Sequence, residues 1–384
     1  MKNRHLNFPT IPYFHLRQGD MYNIIQDVKQ GKRKQIELIR NERAKRLLCL
    51  KFDRFINFRP VHNCGINSLD LDSKENRFML SGGHDGIIAL HDTGKKQAKE
   101  SRIAYNCLFT INEFNNKDKH SCGVYDVKWL PQETNAFLSW SCDRYIKIWD
   151  TRCVQVNSEF HFSRPVYKIA LPKLAIRSSL LAVGRGAPNY SVELIDLRCG
   201  EINCKFNGHS QLVSSLSWSK TNENIIASGS DDCKISIWDI RNGKDCLLSA
   251  KSDETEEDYN SRAHSGPITA LEFTDDGLYL ISLGEDNKLR LWCALTGNLV
   301  YEKEIFKVSL GMSITEECNP DLIFIPSGNT VDIINLRDGK YLNTLQNGQS
   351  GRINCTCLNN STLELYSGGV DGNIHCWNDE KNCH

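Results

Sequence analysis

Seven positions at the ends of similar apolar strands recur along this chain at nearly regular intervals, and they limit its possible folds more than any other feature. Four of them are tryptophan, and the others are filled by His or Ile. In chain order they are His91, Trp149, Ile195, Trp238, Trp292, Ile334 and Trp377. The spacings of 58, 46, 43, 54, 42 and 43 residues centre on the length of a four-stranded propeller blade. The sequence therefore predicts an all-β fold, a seven-bladed β-propeller.

Five of these blades share polar residues at fixed distances before the strand end. An Asp lies six residues before the position, a Ser lies four residues before that Asp, and in four blades a His precedes the first strand. The residues are Asp85, Asp143, Asp232, Asp286 and Asp371; Ser81, Ser139, Ser228, Ser282 and Ser367; and His62, His120, His209 and His264, with Gln349 in the seventh blade. Together with Trp149, Trp238, Trp292 and Trp377, this set resembles the structural tetrad of the WD-repeat family.

A hydrolytic Ser-His-Asp site is the alternative interpretation of these residue types. An activated nucleophile is needed once, whereas this set recurs in blade after blade, as a stabilising element does. The third and sixth blades lack the set, with Asn189 and Gly328 at the Asp position, and we expect them to be less stable. The sequence therefore predicts a protein that is not an enzyme.

Composition excludes several other classes of function. The 16 cysteines are scattered without a CxxC pair, which predicts reduced thiols, no metal site and no cofactor. The 47 Lys and Arg balance the 47 Asp and Glu, so direct sequence-specific binding of nucleic acid is not expected. The chain shows neither a secretory signal nor a membrane-spanning apolar stretch, which predicts no membrane partner.

Two regions are predicted from composition and spacing. Residues 1–45 are predicted to form a helical arm. The arm is basic, because residues 1–60 hold 14 Lys or Arg against 5 Asp or Glu. In this arm Ile36, Ile39 and Arg43 follow helical spacing, and residues 13–28 form a second candidate helix. Residues 46–384 are predicted to form the propeller, with polar insertions at 95–119 and 250–262. Because little chain follows Trp377, we expect strand 46–52, and specifically Leu47 to Phe52, to pair onto blade seven and close the ring.

Several segments resemble one group within the WD-repeat proteins more closely than the general repeat requires. They are GINSLDLDSKENRFMLSGGHDGIIALHD from Gly65, YDVKWLPQETNAFLSWSCDRYIKIWDTR from Tyr125, LLAVGRGAPNYSVELIDLRCG from Leu180 and AHSGPITALEFTDDGLYLISLGEDNKLRLW from Ala263. The chain is similar to the excision-repair WD-repeat family, substrate receptors of cullin-RING E3 ubiquitin ligases. The resemblance implies a non-catalytic nuclear subunit acting in transcription-coupled nucleotide excision repair and the DNA damage response.

The same resemblance implies protein partners. They are the large subunit of the UV-damaged-DNA-binding complex as adaptor, the cullin-RING ligase, and transcription-coupled repair factors or stalled RNA polymerase. The candidate adaptor-binding residues are Phe14, Leu16, Ile36, Ile39, Arg43 and the arginines of two WDxR boxes, Arg152 and Arg241. Two plainer interpretations stay open: the arm helices only cover the edge of the propeller, and the arginines form salt bridges to a neighbouring blade.

A candidate surface for a second partner lies in the turns that carry the Asp residues. Trp140 precedes one of these turns, Arg144 follows it, and Arg185 and His84 lie in the corresponding turns of other blades. We expect a basic, aromatic patch there, since Trp and Arg are enriched at binding hot spots. A Trp140 packed under the neighbouring blade is the alternative. For the whole chain the alternative function is a WD-repeat scaffold or a histone- or chromatin-binding propeller without a ligase connection.

Overall fold

The computed structural model describes residues 35–53, 56–99, 102–112, 116–131, 133, 135–173, 179–242, 246–249, 262–305, 311–315, 317–346 and 351–379. Its described part begins with helix α1 (Gln35–Leu48), strand β1 (Lys51–Phe52) and strand β2 (Ile56–Phe58). Seven antiparallel sheets follow in a ring. The fold is thus the seven-bladed β-propeller that the repeat spacing predicts.

The strands of the blades follow the order of the chain. Blade one contains β3 (Ile66–Leu71), β4 (Phe78–Gly83), β5 (Ile88–Lys99) and β6 (Arg102–Ile111); blade two β7 (Val124–Trp129), β8 (Ala136–Ser141), β9 (Tyr145–Asp150) and β10 (Gln155–His161); blade three β11 (Val166–Ala170), β12 (Leu180–Arg185), β13 (Val192–Asp196) and β14 (Ile202–Phe206); and blade four β15 (Val213–Trp218), β16 (Ile225–Ser230), β17 (Ile235–Asp239) and β18 (Cys246–Ser249).

The remaining blades repeat this arrangement. Blade five contains β19 (Ile268–Phe273), β20 (Tyr279–Gly284), β21 (Lys288–Cys293) and β22 (Leu299–Glu304); blade six β23 (Ser313–Ile314), β24 (Leu322–Ser327), β25 (Thr330–Asn335) and β26 (Tyr341–Gln346); and blade seven β27 (Ile353–Asn359), β28 (Glu364–Gly369) and β29 (Ile374–Asn378). Each strand pairs with the next one along the chain within its blade.

Burial within a blade changes from the inner strands to the outer strand. All six side chains of β8 are buried, whereas β10, at the outer edge of the same blade, alternates between exposed and half-buried residues. The cause is that the inner strands are covered on both faces by neighbouring blades, so their side chains are buried on either face. The core therefore consists of apolar clusters between adjacent blades, such as Leu138, Val166 and Val183 between blades two and three.

The ring closes through a strand that is shorter than the sequence predicts. Lys51 and Phe52 pair antiparallel with Asn378 and Trp377, so β1 is the outer strand of blade seven. The predicted strand 46–52 is wrong at its start, because Arg46 to Leu48 belong to α1. The predicted boundary between residues 45 and 46 accordingly falls inside this helix. Leu47 faces the core between blades six and seven, and this burial stabilises the helical conformation there.

The polar insertion predicted at 95–119 is largely sheet. Residues 96–99 of β5 pair with residues 102–105 of β6, and β2 adds to β6 in parallel as a fifth strand of blade one. Of the second predicted insertion, residues 250–261 lie outside the described residues, as do the candidate helix at 13–28 and both Phe14 and Leu16.

Helix α1 packs on the loops of blades six and seven. Leu38, Ala44 and Leu47 are buried, and the Asn319 amide donates to the Arg40 carbonyl at 3.2 Å. In the part of the chain that the structure describes, no helix is long and apolar enough to cross a membrane.

The topology gives the propeller two distinct faces. Turns between first and second strands, and between third and fourth strands, emerge on the face that α1 contacts, which we call the α1 face. Turns between second and third strands, and the connections between blades, emerge on the opposite face, which we call the tetrad face. Arg152 and Arg241 belong to the α1 face, whereas His84, Arg144 and Arg185 belong to the tetrad face.

Candidate functional site

The repeated polar residues form a buried hydrogen-bonded chain across each regular blade. In blade two, Trp149 Nε1 donates to Ser139 Oγ at 2.7 Å, His120 Nε2 lies 2.7 Å from that hydroxyl, and His120 Nδ1 lies 2.8 Å from Asp143 Oδ2. Blades four and five repeat this chain with the residues His209, Ser228, Asp232 and Trp238, and His264, Ser282, Asp286 and Trp292. These contacts satisfy buried polar groups between strands, which is a structural role.

The tetrad aspartates also order the turns that carry them. Asp143 Oδ1 accepts from the Tyr145 amide at 3.0 Å and Oδ2 accepts from the Ser121 amide at 3.1 Å. Burial alone would raise the pKa of Asp143, but the His120 bond and these amides together hold that pKa below its ordinary value. The carboxylate of Asp143 already accepts three hydrogen bonds, and these bonds favour its ionised form. It is therefore poorly suited to take up a proton as a general base.

Blade one replaces the tryptophan by a second histidine. Ser81 Oγ lies 2.8 Å from His62 Nε2 and 3.1 Å from His91 Nε2, while His62 Nδ1 reaches Asp85 Oδ1 at 3.3 Å. Burial lowers the pKa of His91 to about 3, with a smaller contribution from the charge of His62. His91 is therefore neutral at physiological pH, and its Nε2 takes the place of the indole nitrogen as the hydrogen-bond partner of Ser81.

The other blades depart further from the pattern. In blade seven Trp377 Nε1 donates to Ser367 Oγ at 2.9 Å, and Asp371 Oδ1 accepts from the Asn373 amide at 3.2 Å; Gln349 lies outside the described residues. In blade three, where Asn189 stands in the turn, a buried ion pair joins Arg185 and Glu193. In blade six Gly328 has φ of 64° at the Asp position. The lower stability expected for blades three and six stays a prediction.

The candidate adaptor residues on α1 divide between two sides of the helix. Ile36 and Ile39 are 65% and 37% exposed, which is unusual for isoleucine and leaves an apolar strip facing solvent. Arg43 instead turns toward the propeller, where Nη2 donates to the Asn360 carbonyl at 2.8 Å and Nη1 lies 3.6 Å from Glu317. Arg43 was expected on an adaptor-binding side of the helix; this expectation is wrong, because its guanidinium anchors α1 to blades six and seven.

The two WDxR arginines differ in their surroundings. Arg241 folds back on its own turn, with Nε and Nη2 donating to the two carboxylate oxygens of Asp239 at 3.0 and 2.7 Å, while its side chain stays 65% exposed. The alternative of a salt bridge to a neighbouring blade is therefore wrong for Arg241. Arg152 is exposed, and its side chain contacts no acidic partner within the described residues. Both guanidinium groups remain accessible on the α1 face.

Two of the four residues predicted to form a patch on the tetrad face are not exposed there. Trp140 was expected in an exposed turn, but it lies in β8, is 0% exposed and packs against Val166, Ile169 and Leu181 of blade three. Arg185 was expected as an exposed cation, but its Nε lies 3.0 Å from Glu193 and its side chain is 14% exposed. The packing alternative for Trp140 is thus the correct one.

The accessible side chains of this face include two tyrosines that the sequence analysis missed. His84 and Arg144 are exposed as predicted. Tyr125 and Tyr167, half-buried and exposed respectively, lie at the tetrad-face ends of β7 and β11. Their ring centroids are 6.4 Å apart. A usable signal existed: both follow the buried first residue of a blade's first strand. Among the described residues there is no cluster of His, Cys, Asp and Glu suited to a metal ion.

A ring of antiparallel four-stranded sheets with buried His-Ser-Asp-Trp chains defines the WD-repeat class of propellers. The profile of the family described as WD domain, G-beta repeat matches residues 54–92, 107–150, 200–239, 257–293 and 339–378, and these cover just over half of the chain. This chain belongs to the WD-repeat family. Propellers of this family generally act as non-catalytic scaffolds that bind other proteins.

Three relatives illustrate how far the similarity extends. The WD repeat-containing protein ATCSA-1 of Arabidopsis thaliana is 25% identical over 93% of this chain and 95% of its own length. The ribosome biogenesis protein YTM1 of Scheffersomyces stipitis is 27% identical over 60% of this chain and 52% of its own length. The histone acetyltransferase type B subunit 2 of Debaryomyces hansenii is 26% identical over 62% of this chain and 57% of its own length. The similarity is thus nearly end to end with the first protein and partial with the other two.

Proposed function

We propose that this chain is a substrate-recognition subunit of a cullin-RING E3 ubiquitin ligase, similar to the Cockayne syndrome A protein, and that it acts in transcription-coupled nucleotide excision repair. In this proposal the α1 face docks on the large subunit of the UV-damaged-DNA-binding complex, and the tetrad face holds the protein to be ubiquitylated. The chain itself performs no chemistry, and it resides in the nucleus.

The observation that carries the proposal is the position of α1. Ala44 and Leu47 pack in the core between blades six and seven and Leu38 is also buried, yet the helix keeps Ile36 and Ile39 exposed on another side. A helix that only covered the edge of the propeller would have little reason to expose its apolar residues. An exposed apolar strip on a rigidly held helix suits insertion into a hydrophobic groove of a partner.

Similarity over the whole chain supports the same conclusion. The match to ATCSA-1 covers 93% of this chain, whereas YTM1 matches 60%. If the similarity came from the propeller repeat alone, the two relatives would match similar shares of this chain. The segments that resemble the excision-repair family, including the irregular third blade, contribute further support.

The docking of α1 is tested by charged substitutions. Ile36→Asp with Ile39→Asp introduces two carboxylates into the exposed strip, and we expect at least about a tenfold loss of affinity for the purified adaptor subunit. Val370→Asp is the control, because Val370 is 51% exposed in the turn between β28 and β29, on the tetrad face. Binding is measured by biolayer interferometry with the full-length chain. Wild-type protein that does not bind the adaptor, or a double variant that binds like wild type, contradicts the proposal.

A WD-repeat scaffold or a histone-binding propeller is the second candidate. The similarity to histone acetyltransferase type B subunit 2, over 62% of this chain, favours it. Purification of the tagged protein from nuclear extract through high salt separates the two candidates. Co-purification of adaptor and cullin supports the ligase, and co-purification of histones without either of them supports the second candidate.

A further inference from the structure

The connection between blades two and three carries two arginines side by side on the tetrad face. Arg144 lies in the turn after β8, and Arg164 lies in the connection from β10 to β11. Arg144 Nη1 lies 3.5 Å from the carbonyl of Ser163, the residue before Arg164. Both side chains are exposed, and neither has an acidic partner within the described residues. We call Arg144, Arg164, Tyr125 and Tyr167 the basic seam.

The tyrosines of the basic seam form a preformed apolar surface. The Tyr125 hydroxyl interacts with the Cys142 side chain, two residues before Arg144, and burial together with this contact raises the pKa of Tyr125; Tyr167 is 38% exposed. The neighbouring Gly186 leaves room for the Tyr167 ring, since a Cβ there would lie 2.9 Å from Tyr167 Cε2. Fixed aromatic rings supply contact area at a small cost in conformational entropy.

The charges around the basic seam leave its arginines uncompensated. Glu193 is already engaged by Arg185 at 3.0 Å and by Lys205 at 3.3 Å. Within the channel, Asp126 lies 3.3 Å from Lys168. Asp143 is bound to His120 and to turn amides. Glu193 and Asp126 are thus paired with cations, whereas Asp143 keeps its charge. The net charge of this region is positive, because it holds three carboxylates against five cations, Arg144, Arg164, Arg185, Lys168 and Lys205.

Arg144 is also held in an unfavourable backbone conformation. Its φ is 72°, and the corresponding residues of the other blades that carry the tetrad Asp also have positive φ: Gly86 at 78°, Cys233 at 67°, Asn287 at 57° and Gly372 at 75°. A non-glycine residue in this region costs about 1 kcal/mol. The turn therefore accepts several residue types at this position, and glycine is the one that relieves the backbone strain.

From this geometry we infer that the basic seam binds an acidic peptide segment of a partner protein. Carboxylates of the segment pair with Arg144 and Arg164, and an aromatic or aliphatic side chain next to them packs on Tyr125 and Tyr167. The inference rests on the proposed function, since it describes the segment of a substrate that the receptor holds on the face opposite α1. The guanidinium group of arginine can donate two hydrogen bonds to one carboxylate, which favours acidic peptides. Aromatic side chains supply much of the contact area in such interfaces.

Selection from a random peptide library on phage tests the inference with the full-length chain. We expect the peptides retained by the wild type to be enriched in Asp and Glu beside an aromatic or aliphatic residue. The strongest of them, synthesised, should bind the double variant Arg144→Gly, Arg164→Ser about tenfold more weakly, and its affinity for the wild type should fall with rising salt. Lys303→Ser is the control, because this cation lies on the outer strand of blade five.

Further variants separate loss of binding from loss of folding. Arg144→Gly suits the local backbone, so we expect its melting temperature to equal or exceed that of the wild type. Tyr167→Ser should weaken peptide binding, whereas Tyr167→Phe should preserve it. Retained peptides that are neutral or basic, equal affinity for the double variant, or no retained peptides at all overturn the inference. The double variant should keep adaptor binding, so failure of the basic seam and failure of α1 docking are separate results.

Discussion

Phe52 and Trp377 pair in antiparallel register across the closure of the ring, and their aromatic rings meet edge to face with centroids 5.8 Å apart. Trp377 is fully buried, and its indole N–H donates to Ser367. The contact joins the outer strand of blade seven to its third strand. The cohesion of blade seven therefore depends on a residue near the other end of the propeller sequence.

Removal of the closing strand is expected to unfold the propeller. A chain lacking residues 1–55 should be insoluble or melt without a cooperative transition, because blade seven loses β1 and the core loses Leu47 and Leu50. A chain lacking residues 1–34 is the matched control and should melt cooperatively.

Phe52→Ala should lower the free energy of unfolding by about 2 kcal/mol, since the ring is partly buried. Calorimetry measures all three, and a soluble, cooperative 1–55 deletion would disprove the importance of the closure.

Two buried tryptophans of blade two allow a paired test of packing against hydrogen bonding. Trp149 Nε1 donates to Ser139, whereas Trp140 Nε1 has no hydrogen-bond partner in the described structure. Trp149→Phe should therefore destabilise the chain by about 1 kcal/mol more than Trp140→Phe. Trp140→Ala should cost about 3–5 kcal/mol through the cavity it leaves. Urea unfolding measures these differences, and equal losses for the two Phe variants would contradict the tetrad interpretation.

Acid should destabilise the protein in part through His91. Burial lowers its pKa from 6.5 to about 3 in the folded state. Below pH 6.5 the unfolded chain takes up a proton that the folded chain does not, so the free energy of unfolding falls as pH falls from 6.5 toward 3. His91→Leu should reduce this slope by about 1.4 kcal/mol per pH unit.

Urea unfolding at several pH values between 7 and 4 measures this slope. Phe58→Leu is the control, because Phe58 packs on His91 with centroids 5.4 Å apart and does not titrate. Its effect should be the same at every pH. An unchanged slope in the His91 variant would show that His91 is not the group that binds the proton.

Arg43 is predicted to hold α1 on the propeller. Arg43→Ala removes the bonds to Asn360 and Glu317, and the amides of α1 should exchange hydrogen about tenfold faster. Lys45→Ala is the control, since Lys45 contacts only Glu42 of the same helix among its described ion pairs. Exchange followed by mass spectrometry distinguishes the variants. Equal exchange would mean that the apolar contacts of Leu38, Ala44 and Leu47 alone fix the helix.

The blades were predictable because their signature is local. Ser139 and Trp149 belong to consecutive strands and Asp143 lies in the tight turn that joins them, so their distances in sequence reflect their distances in space. The surface was harder to predict. Trp140 was wrongly predicted to be exposed. Its distance in sequence from the turn does not show that it lies in a strand covered on both faces. Arg43 was misplaced because helical spacing marks one side of a helix, and contacts with Glu317 and Asn360, distant in sequence, decide which side meets the propeller.

The closure between β1 and β29 has a consequence for biosynthesis. A ribosome synthesises Lys51 and Phe52 before any of the seven blades and Trp377 after nearly all of them. The early strand has no partner while the intervening blades emerge, and the nascent ring exposes apolar edges throughout that time. The ring of this architecture therefore closes only after all seven blades have been synthesised, and a chaperone that shields open sheet edges is expected to associate with the newly made chain.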